Sequence, residues 1–228
     1  MRILVTGARG QLGREIVQCL RSHGLEVIPY SHSMQLSELD WCDITVIVNC
    51  AAVIPSNSIT KNQYLDGNIV FLQNLLKYSK GKTFIHFSTF SELYKSDFYQ
   101  LSKMMANSLL LINSHIFKGL TILPLPTLED DSLIEKIVGS ASAGLMPKVY
   151  RLKYNYMSFK SVAYFVKDMI TENDNIKITD LYEKKDLYDE VIKRIDASYI
   201  IEGEVIDRTL LDNGVYHIMP DLLESLSK

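Results

Sequence analysis

Residues 1–13 read Met-Arg-Ile-Leu-Val-Thr-Gly-Ala-Arg-Gly-Gln-Leu-Gly, an apolar run, three spaced glycines and the start of a helix in immediate succession. Ile3–Thr6 is an apolar strand-like run, and Gln11–His23 has the spacing of an amphipathic helix. Between them stand Gly7, Gly10 and Gly13. A strand that passes into a helix needs small residues at three places: for a tight turn, for close approach of the backbone to a pyrophosphate, and for helix-to-strand packing. The free N–H groups at the start of the helix favour negative charge. Gly7, Gly10, Gln11, Leu12 and Gly13 are therefore expected to cradle the phosphates of a nucleotide.

Beyond this stretch, apolar runs alternate with amphipathic ones: Leu25–Tyr30, Thr45–Asn49, Tyr64–Ser79, Thr83–Phe87, Tyr99–Ile112 and Leu120–Leu125. This β-α-β-α rhythm predicts an α/β fold, a doubly wound parallel sheet of the Rossmann type with helices on both faces. After Glu129 the rhythm loosens. Helices are expected at Ser132–Ser142, Ser161–Glu172, Lys185–Asp196 and Pro220–Lys228, and strands at Lys148–Met157 and Asn175–Leu181. The expected organisation is a nucleotide-binding domain over residues 1–128 and a small α+β cap over 129–228, with the helix 161–172 interleaved with the sheet.

The 228 residues are 47% hydrophobic and 22% charged, and the formal net charge is −3. That composition buries a full core. It supplies no basic field for nucleic acid or an anionic membrane. No apolar run approaches the roughly 18 residues of a membrane span, so a cytoplasmic location is expected. Cys19, Cys42 and Cys50 are expected to be buried free thiols. The five histidines show no metal-ligand spacing, so no metal is expected. His86, in the middle of a strand, reads as a satisfied core residue or as one that supports the site from behind.

The end of the second strand, where an acidic residue would bind the ribose hydroxyls of NAD, reads Tyr30-Ser31-His32-Ser33. No carboxylate there would repel a 2′-phosphate. Arg9, within the glycine loop, offers a forked donor to such a phosphate, and Ser31 and His32 can add hydrogen bonds. NADP is expected over NAD.

Tyr99-Gln-Leu-Ser-Lys103 begins a helical stretch, which puts Tyr99 and Lys103 at i and i+4 on one face. A tyrosine of unperturbed pKa about 10 is a poor acid or base at neutral pH, and an ammonium one turn away favours the tyrosinate. A pKa brought from about 10 to about 7–8 corresponds to roughly 3–4 kcal/mol. The preceding strand ends Phe84-Ile85-His86-Phe87-Ser88-Thr89.

Taken together, Thr6–Gly13, Asn49-Cys50-Ala51-Ala52, Asn68 in Asp66-Gly67-Asn68-Ile69-Val70, Ser88-Thr89 and Tyr99…Lys103 resemble the extended short-chain dehydrogenase/reductase family. The resemblance is to its nucleotide-sugar branch, the dTDP-4-dehydrorhamnose reductases and NAD-dependent epimerase/dehydratases. It covers about residues 1–125 and extends more loosely to about 172. It implies that Thr89 holds a substrate carbonyl, with Ser88 its neighbour able to substitute, and that Tyr99 exchanges the proton. Lys103 would bind the nicotinamide ribose, Asn68 would order a water relay behind it, and Ala51 and Ala52 would run alongside the cofactor.

The departures narrow the reaction. Dehydratases of the family carry Asp-Glu after the Ser-Thr pair, and a cysteine there serves double epimerisation; this chain has Phe90 and Ser91. Reduction of a keto-sugar nucleotide is expected, with a cofactor-retaining epimerase or a catalytically silent nucleotide-binding subunit as alternatives. Thr89 and Tyr99 lie only ten residues apart. About 33 Å of extended chain still lets the set close, yet the short loop and the small cap imply a more open substrate site. In the helix from Tyr99, Leu101, Met104, Met105, Leu109 and Ile112 have spacings that bury a face. There and on the helix Tyr64–Ser79 relatives build a homodimer interface, with packing against the sheet as the alternative.

Overall fold

The computed structural model describes residues 1–31, 34–56, 58–89, 97–128, 132–171 and 182–208. His32, Phe90, Ser91, the strand expected at Asn175–Leu181 and the helix expected at Pro220–Lys228 lie outside the described residues. In chain order the elements are β1 (Arg2–Thr6), α1 (Gln11–Ser22), β2 (Glu26–Pro29), β3 (Ile44–Asn49), α2 (Lys61–Tyr64), a π-helical turn (Leu65–Val70) and α3 (Phe71–Leu76). There follow β4 (Thr83–Thr89), α4 (Phe98–Ile112), β5 (Gly119–Leu125), β6 (Thr127–Leu128), α5 (Ser132–Ser142), β7 (Lys148–Met157), α6 (Phe159–Ile170), β8 (Glu183–Asp186), α7 (Leu187–Ile192) and β9 (Ile201–Arg208).

Two compact units result, Met1–Leu125 with Phe159–Ile176, and Pro126–Ser158 with Lys177–Lys228. The first holds a five-stranded, all-parallel sheet in the order β2-β1-β3-β4-β5. Ile3, Leu4 and Val5 are all fully buried, as a central parallel strand covered on both faces requires. Leu4, Ile47 and Phe84 pack with Leu72 and Leu75 of α3 and with Ala106 and Leu110 of α4. Helix α1 buries Ile16, Cys19 and Leu20 and packs with α6. Gly24, at φ 76°, supplies the left-handed residue that turns the chain after α1 into β2.

The chain places β2 on one side of β1 and β3 on the other. At such a reversal the loops leaving β1 and β3 part, and a crevice opens beyond the carboxyl ends of those strands. This is the feature that positions the site.

In the second unit, β7 pairs with β6 and β9 in parallel and with β8 antiparallel. A core of Ile134, Ala141, Val149, Leu187, Val191 and Ile200 packs there. The helix expected from Lys185 is instead a strand followed by a short helix. The Asp186 side chain accepts from Tyr188 N at 2.9 Å, which caps α7 and places its first turn after Asp186. Lys184 and Lys185 pair with β7. Sequence reading also missed β6 and β9.

Candidate active site

The glycine loop lies at the carboxyl end of β1. A Cβ on Gly7, whose φ is 63°, would stand 2.7 Å from Cys50 O and Ala51 N, so glycine lets the β1–α1 turn contact the chain leaving β3. On Gly13 it would stand 2.3 Å from Gly7 O, so helix and turn pack directly. Gly10 differs: among the described residues a Cβ there would meet only Gly7 O, at 3.3 Å. Gly10 is also the N-cap of α1, and among the described residues no side chain caps that end. Arg9, Gly10 and Gln11 are exposed, Leu12 is half-buried and Gly13 is buried. An exposed helix start that no side chain caps fits a pyrophosphate.

Behind this loop a polar row crosses the sheet. Thr6, Asn49 and His86 are register partners on β1, β3 and β4. All three are buried. Thr6 Oγ1 donates to Asn49 Oδ1 at 2.6 Å, Asn49 Nδ2 lies 3.0 Å from His86 Nδ1, and Ala51 N donates to Thr6 Oγ1 at 3.3 Å. His86 is thus satisfied at only one nitrogen. Its buried Nε2 has no hydrogen-bond partner among the described residues. Burial, and then the charge of Lys103, push His86 well below the ordinary histidine range.

Helix α4 is seated on the end of β4. Asp97 caps it, accepting from Tyr99 N at 3.0 Å and Gln100 N at 3.1 Å, and Gln100 completes a capping box. Lys103, 4% exposed, donates from Nζ to the Phe87 carbonyl at 2.5 Å. One turn on, Asn107 Nδ2 donates to Ser88 Oγ at 2.7 Å. One turn before Lys103 stands Tyr99, half-buried, its ring 6.0 Å from that of Tyr64. Thr89, half-buried, closes β4. Tyr99, Lys103 and Asn107 thus recur at i, i+4 and i+8 on the face turned to β4.

Asn68 sits in the π-helical turn. Its Oδ1 accepts from Val53 N at 2.7 Å, and its Nδ2 donates to Val53 O at 3.2 Å and to Ser102 Oγ at 2.8 Å. Ser102 in turn donates to Tyr99 O at 2.7 Å. Gly67 makes room for this clamp, since a Cβ there would stand 2.3 Å from Val53 Cγ2. The structure therefore places Asn68 against the loop after β3 and against α4.

Of the remaining expected residues, Ala51 and Ala52 leave β3 beside Gly7, Ala51 half-buried and Ala52 exposed. Ser31 follows Tyr30, whose carbonyl accepts from Ala8 N at 3.2 Å. Sequence reading passed over Ser102 and Asn107. The i+8 spacing from Tyr99 was the available signal for Asn107. The residues that seat α4 on the sheet are Ala106 and Leu110, whereas Leu101, Met104, Met105 and Ile112 are exposed. All three cysteines are free, but only Cys19 is buried; Cys42 is exposed and Cys50 half-buried. Among the described residues no cluster could hold a metal ion, and no helix is long and apolar enough to cross a membrane.

A family model described as the NAD dependent epimerase/dehydratase family matches residues 3–110. No curated protein matches the sequence. Among solved structures, the chain is similar to UDP-glucuronic acid 4-epimerase from Bacillus cereus in complex with NAD, at 16% identity and a TM-score of 0.69, covering 91% of this chain and 87% of that one. It is similar to a dTDP-4-dehydrorhamnose reductase from Clostridium acetobutylicum, at 19% identity and 0.61, covering 92% and 84%. A third is the UDP-glucose 4-epimerase of Thermus thermophilus complexed with NAD, at 15% and 0.60, covering 100% and 93%. At these identities the likeness is one of fold.

Proposed function

We propose, from the match of residues 3–110 to the model of the NAD dependent epimerase/dehydratase family, that this protein is a nicotinamide-dependent enzyme acting on a nucleotide-sugar, and specifically an NADP-dependent reductase of a keto-sugar nucleotide. The observation that carries the reading is one of placement. The Gly7–Gly13 turn at the end of β1 and the Tyr99–Lys103 face of α4 on the end of β4 lie at the same carboxyl edge of one parallel sheet. A dinucleotide needs the first, and proton exchange at a sugar hydroxyl needs the second.

The exposed N-terminus of α1 and Gly10 hold the pyrophosphate, and Arg9 with Ser31 takes the ribose phosphate that no carboxylate there opposes. Ala51 and Ala52 border the dinucleotide. When bound, the nicotinamide supplies the hydride. Thr89, with Ser88 beside it, holds the substrate carbonyl by its hydroxyl, and Tyr99 gives the proton to the carbonyl oxygen as it becomes an alcohol. Lys103 lies one turn from Tyr99 and favours the tyrosinate left behind. Asn68 holds the Val53 loop against Ser102 and so fixes the start of α4.

An epimerase that keeps its dinucleotide and oxidises, then reduces, one sugar carbon uses the same groups. The exposed Leu101, Met104, Met105, Leu111 and Ile112 of α4 suit a second copy of the chain, and a homodimer is part of the proposal.

Parallel calorimetric titrations with NADPH and NADH test the cofactor reading; tight NADPH and weak NADH are expected. NADPH is then followed at 340 nm with dTDP-4-dehydrorhamnose and with UDP-glucose, UDP-glucuronic acid and UDP-N-acetylglucosamine. Net NADPH consumption with the keto-sugar supports the reductase. Sugar interconversion without net consumption assigns the epimerase, and binding of neither dinucleotide by the folded chain assigns a silent subunit.

A further inference from the structure

The buried row Thr6, Asn49 and His86 has no part in the scheme above. Two residues earlier on the same face, the corresponding register partners are Leu4, Ile47 and Phe84, all fully buried and apolar. The sheet thus passes from an apolar row to a polar one within a single pleat repeat, just below the carboxyl edge. Buried polar groups are costly unless hydrogen-bonded, so the directions of their bonds are decisive.

The network assigns those directions. The Thr6–Asn49 separation of 2.6 Å is that of an O–H···O bond and shorter than N–H···O bonds span. The Thr6 hydroxyl therefore donates to the Asn49 amide oxygen, and the amide nitrogen faces His86. An amide nitrogen only donates, so Nδ1 of His86 accepts and the ring proton resides on Nε2. The Thr6 oxygen is left to accept from Ala51 N. One directed chain runs from the Ala51 amide through Thr6 and Asn49 to His86.

We propose that His86 is a positioning residue for the dinucleotide. By accepting from Asn49 it holds that amide in the orientation that keeps the Thr6 hydroxyl engaged, and Thr6 in turn holds the Ala51 amide and the Cys50–Ala51 main chain against Gly7. The inference rests on the cofactor reading above. Because the Gly7 turn and Ala51 are in contact, a shift of the β3 exit is a shift of one wall of the cradle. Burial and the Lys103 charge keep the imidazole neutral, so Nδ1 remains an acceptor.

The test compares dissociation constants for NADPH and NADH in the full-length wild type, His86→Leu, His86→Asn, Thr6→Val and the Thr6→Val/His86→Leu double variant, with a melting temperature for each. Asparagine places an acceptor oxygen near the Nδ1 position. His86→Leu and Thr6→Val are each expected to weaken the preferred dinucleotide by roughly five- to tenfold, the size of one lost buried hydrogen bond. His86→Asn should recover binding to within about twofold. The double variant should bind about as weakly as Thr6→Val alone, because the chain is already cut. His86→Met, which fills the volume without a nitrogen acceptor, replaces His86→Leu if that variant does not fold.

Wild-type affinity in folded His86→Leu, multiplying losses in the double variant, or no recovery in His86→Asn would each overturn the role of His86. Binding of neither dinucleotide by the wild type overturns the cofactor reading instead, and the two results are distinct.

Discussion

Lys103 Nζ donates to the carbonyl oxygen of Phe87 at 2.5 Å, which anchors the middle of α4 to the strand that ends in Ser88 and Thr89. A buried lysine is stable only where its ammonium is bonded. Here the bond also sets the rotation of α4, so that Tyr99 follows one turn nearer the helix start and Asn107 one turn later meets Ser88.

Tyr99→Phe removes the proton donor and leaves the glycine loop intact. Turnover is expected to fall by about two to four orders of magnitude, with the NADPH dissociation constant within about twofold of wild type. Steady-state kinetics paired with calorimetry check this. Retained turnover would end the proposed role of Tyr99.

Gly13→Ala and Gly10→Ala should separate packing from binding. A Cβ on residue 13 meets backbone at 2.3 Å, whereas one on residue 10 has a single contact at 3.3 Å. Thermal unfolding should show a loss of about 1–3 kcal/mol for Gly13→Ala and less than about 1 kcal/mol for Gly10→Ala. Gly10→Ala should nonetheless weaken the dinucleotide by about tenfold or more, because its Cβ projects where the backbone meets the pyrophosphate.

Arg9→Ala should raise the NADPH dissociation constant by about tenfold or more and that of NADH by less than about threefold, since only the former carries the 2′-phosphate. Titrations in the same buffer decide the matter. Equal losses would remove Arg9 from that subsite.

His86 makes stability depend on pH with a definite sign. Its native pKa lies well below the unfolded value of about 6.5. Above about pH 6.5 both states are neutral and the contribution is fully present. As the pH falls further, the unfolded chain takes up a proton that the native ring refuses. Stability is then lost at up to about 1.4 kcal/mol per pH unit until the native pKa is reached. Urea unfolding between pH 7 and 5 should show this slope in wild type, and a shallower one in His86→Asn.

The thiols differ in access and in acidity. Cys42 is exposed. Burial pushes Cys50 far above the ordinary thiol range, and burial likewise raises Cys19. A thiol reagent at pH 7.5 should modify one cysteine rapidly, and Cys42→Ser should abolish that phase, while Cys50, held as the thiol, reacts slowly and Cys19 reacts on unfolding.

Much of this was legible in the linear chain. The glycine spacing and the alternation of short apolar runs with amphipathic stretches defined a parallel α/β unit, and Tyr99…Lys103 stood at helical spacing. Local signals suffice where adjacent residues share one element. They failed at Asp186, whose capping role turned an expected helix into a strand and a short helix. On α4, Ala106 and Leu110 seat the helix on the sheet while Leu101, Met104 and Ile112 are exposed, and spacing along the chain does not distinguish a face packed on the sheet from one left for a second copy.

The local devices are written along the chain: the strand-glycine-helix turn, the missing carboxylate after β2, and the tyrosine and lysine one turn apart. Which partner each buried polar group meets depends on how the strands come together. Thr6, Asn49 and His86 are 43 and 37 residues apart in the chain, and they form one hydrogen-bonded row because the parallel crossovers bring β1, β3 and β4 into register. No spacing along the chain encodes that register; it follows from burying Leu4, Ile47 and Phe84 one step below against α3 and α4.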